Sequence, residues 1–429
     1  MNNLLGYKCS ICGQEYGLNE VEYVCPKHGD EGVLDAVYEL KAIKQLLDPI
    51  KLANQQTSSA LDLFRYRPLL PVDSSVPDLP LHVGWTPLYR APRLEKMLGI
   101  REIWIKDDGR NPTASYKDRA SSITVMKALE LRRDLITTAS SGNAGAALAG
   151  MAASIKLPAV IFVPQTAPQA KVAQLLIYGS HVFLVKGNYD MAFDLCLQAS
   201  KEFGWYCRNT AYNPITVEGK KTASLEICEQ LTWAKGGFTK QWLTPDRIFV
   251  SIGDGNIISG LHKGLADLAA LDWIDPEGMP KLMGIQAEGS AAVYNAWAAG
   301  KMDITPVAGK TIADSINVDL PRDGRRAVRS IRATNGEALT VTDDEILDAM
   351  RLLAREAAVF AEPAASTAMA GLLKAAKAGR VGQDESVVVV ITGNGLKDVN
   401  SAIKAAGQPH IIEPDLKAVK AALEPIGLL

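Results

Sequence analysis

From Trp85 onward the chain alternates short, continuous apolar runs rich in Val and Ile with longer stretches whose apolar residues recur every three to four positions. Continuous β-branched runs read as strands buried on both faces, and the longer recurrence reads as helices packed along one side. The pattern predicts strands over residues 103–106, 135–139, 159–163, 181–185, 247–252, 281–286 and 387–391. It predicts helices over 116–131, 144–154, 169–178, 189–203, 217–233, 257–271, 343–358 and 364–378. Such alternation implies parallel α/β sheets covered by helices, with ligand loops at the C-terminal ends of the strands. Ahead of it, residues 36–80 read as a helical arm over 40–52 and a connector rich in proline (Pro68, Pro71, Pro77, Pro80).

The first 35 residues have a different logic. Cys9-Ser-Ile-Cys12-Gly13 and Cys25-Pro-Lys-His28-Gly29 are two ligand pairs, each followed by a glycine that lets the backbone turn so that both side chains face one point. Three Cys and one His in this spacing fit a four-coordinate zinc site, a zinc-ribbon-like head of structural purpose. A metal-free docked flap is the plainer alternative. Cys196, Cys207 and Cys228 lie in apolar or helical text and read as small buried hydrophobes.

Composition narrows the class. A chain of 429 residues, 47% hydrophobic and 22% charged, has room for two or three domains with a sizeable core. A net charge of −2 gives no electrostatic case for nucleic acid or an anionic membrane, and residues 1–35 hold only Lys8 and Lys27 against several acids. The start lacks signal-peptide character, and no run approaches the roughly 18 apolar residues of a spanning helix. The expectation is a cytoplasmic enzyme or binding protein.

Four loops carry the candidate chemistry. Lys117 stands just past the small-residue turn Asn111-Pro-Thr-Ala-Ser-Tyr, where a helix begins. A lysine desolvated there has a lowered pKa and a nucleophilic neutral amine. Residues 140–145 (Ser140-Ser141-Gly142-Asn143-Ala144-Gly145) join a strand to a helix and can bind a carboxylate through N–H groups and hydroxyls, or merely cap the helix. Gly253-Asp254-Gly255-Asn256-Ile257 can cradle a phosphate at a helix N-terminus, although it is neither a Walker loop nor a Gly-x-Gly-x-x-Gly fingerprint. Asp254 must then point away from the phosphate or cap an N–H. The fourth loop, Thr392-Gly-Asn394-Gly, follows the strand at 387–391.

In this order the loops resemble those of fold-type II pyridoxal-phosphate enzymes, and Asn111–Ala120 ("NPTASYKDRA") resembles threonine synthase most. The resemblance implies a tryptophan synthase β-like fold of two parallel-sheet α/β domains plus the head. The divisions would be 1–35, a large cofactor domain from 36–110 with 205–429, and a small mobile domain at 111–204. It implies pyridoxal 5'-phosphate on Lys117, with Asn143 on the ring hydroxyl, residues 253–257 on the phosphate, and the Thr392 hydroxyl at the pyridine nitrogen. Ser140, Ser141, Asn143 and Ala144 would hold the substrate carboxylate. The implied reaction turns O-phospho-L-homoserine and water into L-threonine and phosphate, in a homodimer.

Two positions depart from that pattern. Relatives often carry His where Asn394 stands, and an arginine for the substrate phosphate near position 216, where this chain has Thr216. Lys220 or Lys221 could supply the charge, as a point charge and not a bidentate fork. The alternative is a serine/threonine dehydratase or β-replacement enzyme, which shares every cofactor residue. A catalytically silent binding protein has no need for Lys117, Asn143 and Thr392 together.

Overall fold

The computed structural model describes residues 3–55, 61–167, 169–237 and 240–428. The head is an antiparallel sheet of β1 (Leu4–Cys9), β2 (Glu15–Gly17) and β3 (Leu34–Tyr38), in the order β2-β1-β3. The chain next lays down β4 (Leu88–Arg90) and β5 (Glu102–Asp107). A wholly parallel sheet follows, ordered β8-β7-β6-β9, from β6 (Ile136–Ala139), β7 (Ala159–Pro164), β8 (His181–Val185) and β9 (Tyr206–Cys207). Then β10 (Arg247–Ser251), β11 (Lys281–Ala287), β12 (Ala338–Val341) and β13 (Ser386–Ile391) complete the sheet that β4 and β5 began. Its order is β12-β11-β10-β13-β5-β4, parallel except at the β4 edge.

The central strands of the larger sheet are buried on both faces, which is why their sequences are unbroken apolar runs. Val388 and Val390 enter one core with Ile248 and Val250, while Val387, Val389 and Ile391 enter a second with Phe249. This two-residue alternation follows from the pleat. Helices Asp343–Ala357 and Pro363–Lys377 close over the second face, where Ile346, Leu353, Met369 and Leu372 are fully or almost fully buried. No helix among the described residues is long and apolar enough to cross a membrane.

The structure differs from the pattern in several places. The expected helix over 40–52 is two, Leu40–Leu46 and Pro49–Asn54, because Asp48 caps the second through Ile50 and Lys51 N–H and Pro49 takes its first position. The expected helix over 217–233 divides at Lys221 into Ile215–Lys220 and Thr222–Ala234. The helix Gly324–Ala333 was hidden by its arginines. One of them, Arg326, is buried and donates to Asp323 (2.5 Å), to Asp35 Oδ1 (3.0 Å) and to the Leu34 carbonyl (3.0 Å). That fork pins β3, which runs through residue 35, onto the main body. The head also reaches the small sheet, where the Tyr23 hydroxyl accepts from Cys207 N–H (3.0 Å) and the Tyr23 ring stacks on Tyr212 at 4.8 Å.

Candidate active site and metal cluster

The four loops leave the C-terminal ends of β5, β6, β10 and β13 and meet around a cleft of about 470 Å³. Lys117, Ser140, Ser141, Asn143, Ala144, Gly253, Asp254, Gly255, Asn256, Ile257, Lys220 and Thr392 all line it. That volume is in the usual range for a small-molecule site.

Lys117 opens the helix Lys117–Glu130, placed by a turn in which Ala114 adopts a left-handed φ of 62°. Tyr116 N–H donates to the Thr392 carbonyl (2.9 Å) and Asn394 N–H to the Ala114 carbonyl (3.1 Å), so the lysine loop is stitched to the loop after β13. Burial pulls the Lys117 amine below an ordinary lysine pKa; the nearby Glu362 carboxylate opposes this and the Arg208 charge adds to it. An amine so placed is neutral, and nucleophilic, at lower pH than one in water.

Asn143 begins the helix Asn143–Ser154 behind an extended Gly142, and the Ser140 hydroxyl accepts from Gly142 N–H (3.2 Å). The Asn143 side-chain amide donates to Glu362 Oε1 at 2.7 Å. Nothing in the sequence pointed to Glu362, which stands immediately before the helix that opens at Pro363. Burial raises its pKa, against the pull of the Lys117 charge.

In the glycine loop, Gly255 has φ 93° and a Cβ there would lie 2.8 Å from the Asp323 carbonyl oxygen, so only glycine is accommodated. The helix Asn256–Ala270 presents its N-terminus to the cleft behind it. Asp254 resolves its own difficulty by capping, since its Oδ1 accepts from Arg322 N–H at 3.3 Å. Asn394 likewise caps, accepting from Leu396 N–H.

The two lysines after Gly219 part company. Lys220 lines the cleft and donates to Asn256 Oδ1 at 2.6 Å. Burial first, then the charges of Lys117 and Arg208, hold its pKa well below the usual lysine range. Lys221 corrects the expectation that either lysine is available: its Nζ is spent on Glu218 (2.6 Å) and Asp267 (2.7 Å), against the Tyr38 ring and away from the cleft. Thr216 is buried and donates to the Asn213 carbonyl (2.8 Å). Arg208, unremarked in the sequence, lines the cleft from just beyond β9.

In the head, one ligand atom from each of Cys9, Cys12, Cys25 and His28 falls within 4.8 Å of the others. Gly13 and Gly29 take left-handed φ of 70° and 54°, the turns their spacing predicted. Three thiols and an imidazole gathered so closely form a donor set suited to tetrahedral zinc. In the cleft, the buried amine, the glycine-cradled helix N-terminus and the Thr392 hydroxyl likewise fit pyridoxal phosphate.

The profile of the family described as pyridoxal-phosphate dependent enzyme matches residues 79–393. Threonine synthase of Methanocaldococcus jannaschii is 36% identical over 419 residues, covering 97% of this chain and 99% of that protein. Threonine synthase of Methanosarcina acetivorans is 36% identical over 418 residues, 97% and 98% of the two chains. Among solved structures, maize serine racemase superposes with a TM-score of 0.62 at 22% identity over 80% of this chain and 92% of its own. Diaminopropionate ammonia lyase from Escherichia coli superposes with a TM-score of 0.65 at 18% identity, over 83% and 91%. The structural likenesses establish the fold alone. Together with the profile and the near full-length relatives, they close the question of kinship: the chain belongs to the pyridoxal-phosphate dependent enzyme family, among the threonine synthases.

Proposed function

We propose that the protein catalyses the conversion of O-phospho-L-homoserine and water to L-threonine and phosphate. The observation that carries this is the convergence, on one cleft, of the buried Lys117 amine, the Ser140–Ala144 anion loop and the helix N-terminus at Asn256. Bound pyridoxal phosphate supplies the electron sink that acidifies the substrate's Cα and Cβ hydrogens. Lys117 would hold the cofactor, and its amine is placed to move protons at the substrate's Cα, Cβ and Cγ. Ser140, Ser141 and the N–H groups at Asn143 and Ala144 hold the α-carboxylate. The N-terminus at Asn256, with Gly253–Ile257, holds the cofactor phosphate; Asn143 orients the ring hydroxyl. Thr392 would donate its hydroxyl proton in a hydrogen bond to the pyridine nitrogen as a neutral group, which would leave that nitrogen largely unprotonated and favour replacement chemistry over transamination.

Residues 111–204, whose sheet β9 completes, act as the small mobile domain. Ion pairs Lys171–Asp314 and Arg322–Asp190 (3.4 Å), with the Lys397–Gln174 hydrogen bond (3.2 Å), cross the mouth of the cleft and would part on opening. The head carries one structural zinc on Cys9, Cys12, Cys25 and His28. The assembly is a cytoplasmic homodimer. Incubation of the holoenzyme with O-phospho-L-homoserine tests the reading: threonine and phosphate should form in equal amounts. Keto acid from serine or threonine, with no threonine from the phosphorylated substrate, would transfer the protein to the dehydratases.

A further inference from the structure

Thr216 cannot serve the substrate's phosphate: its hydroxyl is buried and donates to the Asn213 carbonyl. The cleft nevertheless has a cationic wall. Arg208 follows β9, its N–H donating to the Thr137 carbonyl (2.8 Å), and its side chain is fully buried. Nε donates to Ser121 Oγ (3.1 Å) and Nη1 to Thr210 Oγ1 (2.8 Å). Both partners are neutral hydroxyls. Nη2 has no hydrogen-bond partner, and among the described residues no carboxylate forms an ion pair with this guanidinium. Beside it in the cleft stand Thr210 and Lys220, the latter also donating to a neutral acceptor, Asn256 Oδ1.

A buried cation whose hydrogen-bond partners are neutral, with the Asp254 and Asp118 carboxylates nearby but not paired to it and one N–H spare, is costly unless an anion completes it. A guanidinium, unlike the lysines, offers a planar fork to a phosphate. The cofactor's own phosphate already has the Gly253–Ile257 cradle. We propose that Arg208, with Thr210 and Lys220, forms the subsite for the substrate's departing phosphate and replaces the arginine that relatives place near position 216. This rests on the reaction proposed above and names the residue that would select a phosphorylated substrate.

The test compares holoenzyme carrying Arg208→Gln, Arg208→Lys, or Arg208→Gln combined with Thr216→Arg. Four readouts are taken: cofactor affinity, inorganic phosphate binding through the cofactor's visible band, L-threonine binding through the same band, and kcat/KM for O-phospho-L-homoserine. Arg208→Gln should lower phosphate binding and kcat/KM by roughly 100-fold, the scale of a lost buried charge-assisted pair. Cofactor and L-threonine affinities should move by less than about threefold, within the ordinary scatter of substitutions that miss a ligand. Arg208→Lys should recover part of the loss, and the added arginine at 216 more of it.

Equal loss of cofactor and phosphate affinity would overturn the proposal, assigning the guanidinium to the cofactor's phosphate. So would unchanged phosphate binding in a folded Arg208→Gln protein. If wild type binds phosphate through Arg208 yet turns over no phosphohomoserine, the reaction is wrong and the subsite stands. Turnover indifferent to Arg208 gives the reverse.

Discussion

In the head, four ligands within residues 9–28 meet because two tight turns bring neighbours together. In the cleft, Lys117, Asn143, Asn256 and Thr392 meet only because β5, β6, β10 and β13 deliver their loops to one end of two parallel sheets. The first arrangement is written in local spacing. The second is written in topology, and each side chain depends on the sheets for its place. Damage to the head should therefore be local and structural, and damage to the cleft chemical, with the fold intact.

The sharpest break in that contrast is Lys117→Ala. Turnover should fall by about 10⁴-fold or more, since one residue supplies both the covalent hold and the proton transfers. The far-ultraviolet spectrum should be unchanged. Should the protein unfold instead, the cleft would be structural in the same sense as the head.

Next in size is Cys25→Ser. Binding of zinc by such donor sets is on the order of 10 kcal/mol at neutral pH, and much of it is folding energy. Metal analysis should fall from one zinc per chain to none. Hydrogen exchange should quicken over residues 3–35 while the cofactor's visible band remains. Collapse of that band would show that the Arg326 and Tyr23 contacts couple the two regions tightly.

Asn143→Ala sharpens the account of the anion loop. It removes the amide that Glu362 accepts from and, on the proposed reading, the hold on the cofactor's ring hydroxyl. A buried partner left unpaired costs about 1–3 kcal/mol, so kcat should fall roughly 5- to 150-fold with the cofactor still attached. Unchanged kinetics would reduce residues 140–145 to a helix cap.

The smallest effect expected is a pH shift. The Glu362 charge raises the Lys117 pKa against burial, so Glu362→Gln should lower it further. The neutral amine then persists to lower pH. The rate at which apoprotein takes up cofactor should rise with pH in both proteins, with the midpoint displaced downward in the variant. A midpoint displaced upward would mean that Glu362 does not act on Lys117 as a charge.

Much of this was legible in the sequence, for identifiable reasons. The short β-branched or apolar runs at the centres of β10 and β13 read as strands buried on both faces. The motif loops fall at strand ends, where parallel sheets put ligands. What stayed hidden depended on partners far away in the chain. Arg326 and Arg208 drew no notice in the sequence, yet the first is neutralised by Asp35 and Asp323, and the second lines the cleft. Consecutive helical residues diverge by about 100°, so Lys220 and Lys221 cannot share a direction. Which of them met the cleft was decided by Glu218 and Asp267. Glu362 gave no signal, because a glutamate before Pro363 is an ordinary helix start.

The central claim is that Lys117 is the reacting amine, and Lys220 is its rival, lining the same cleft with a pKa also depressed by burial. Borohydride reduction of the holoenzyme fixes the cofactor to whichever amine holds it, and peptide mapping identifies that residue. The account predicts the modified peptide from Ala114–Arg119, on Lys117 alone. Cofactor found on Lys220, or on Lys106 or Lys263, would contradict it.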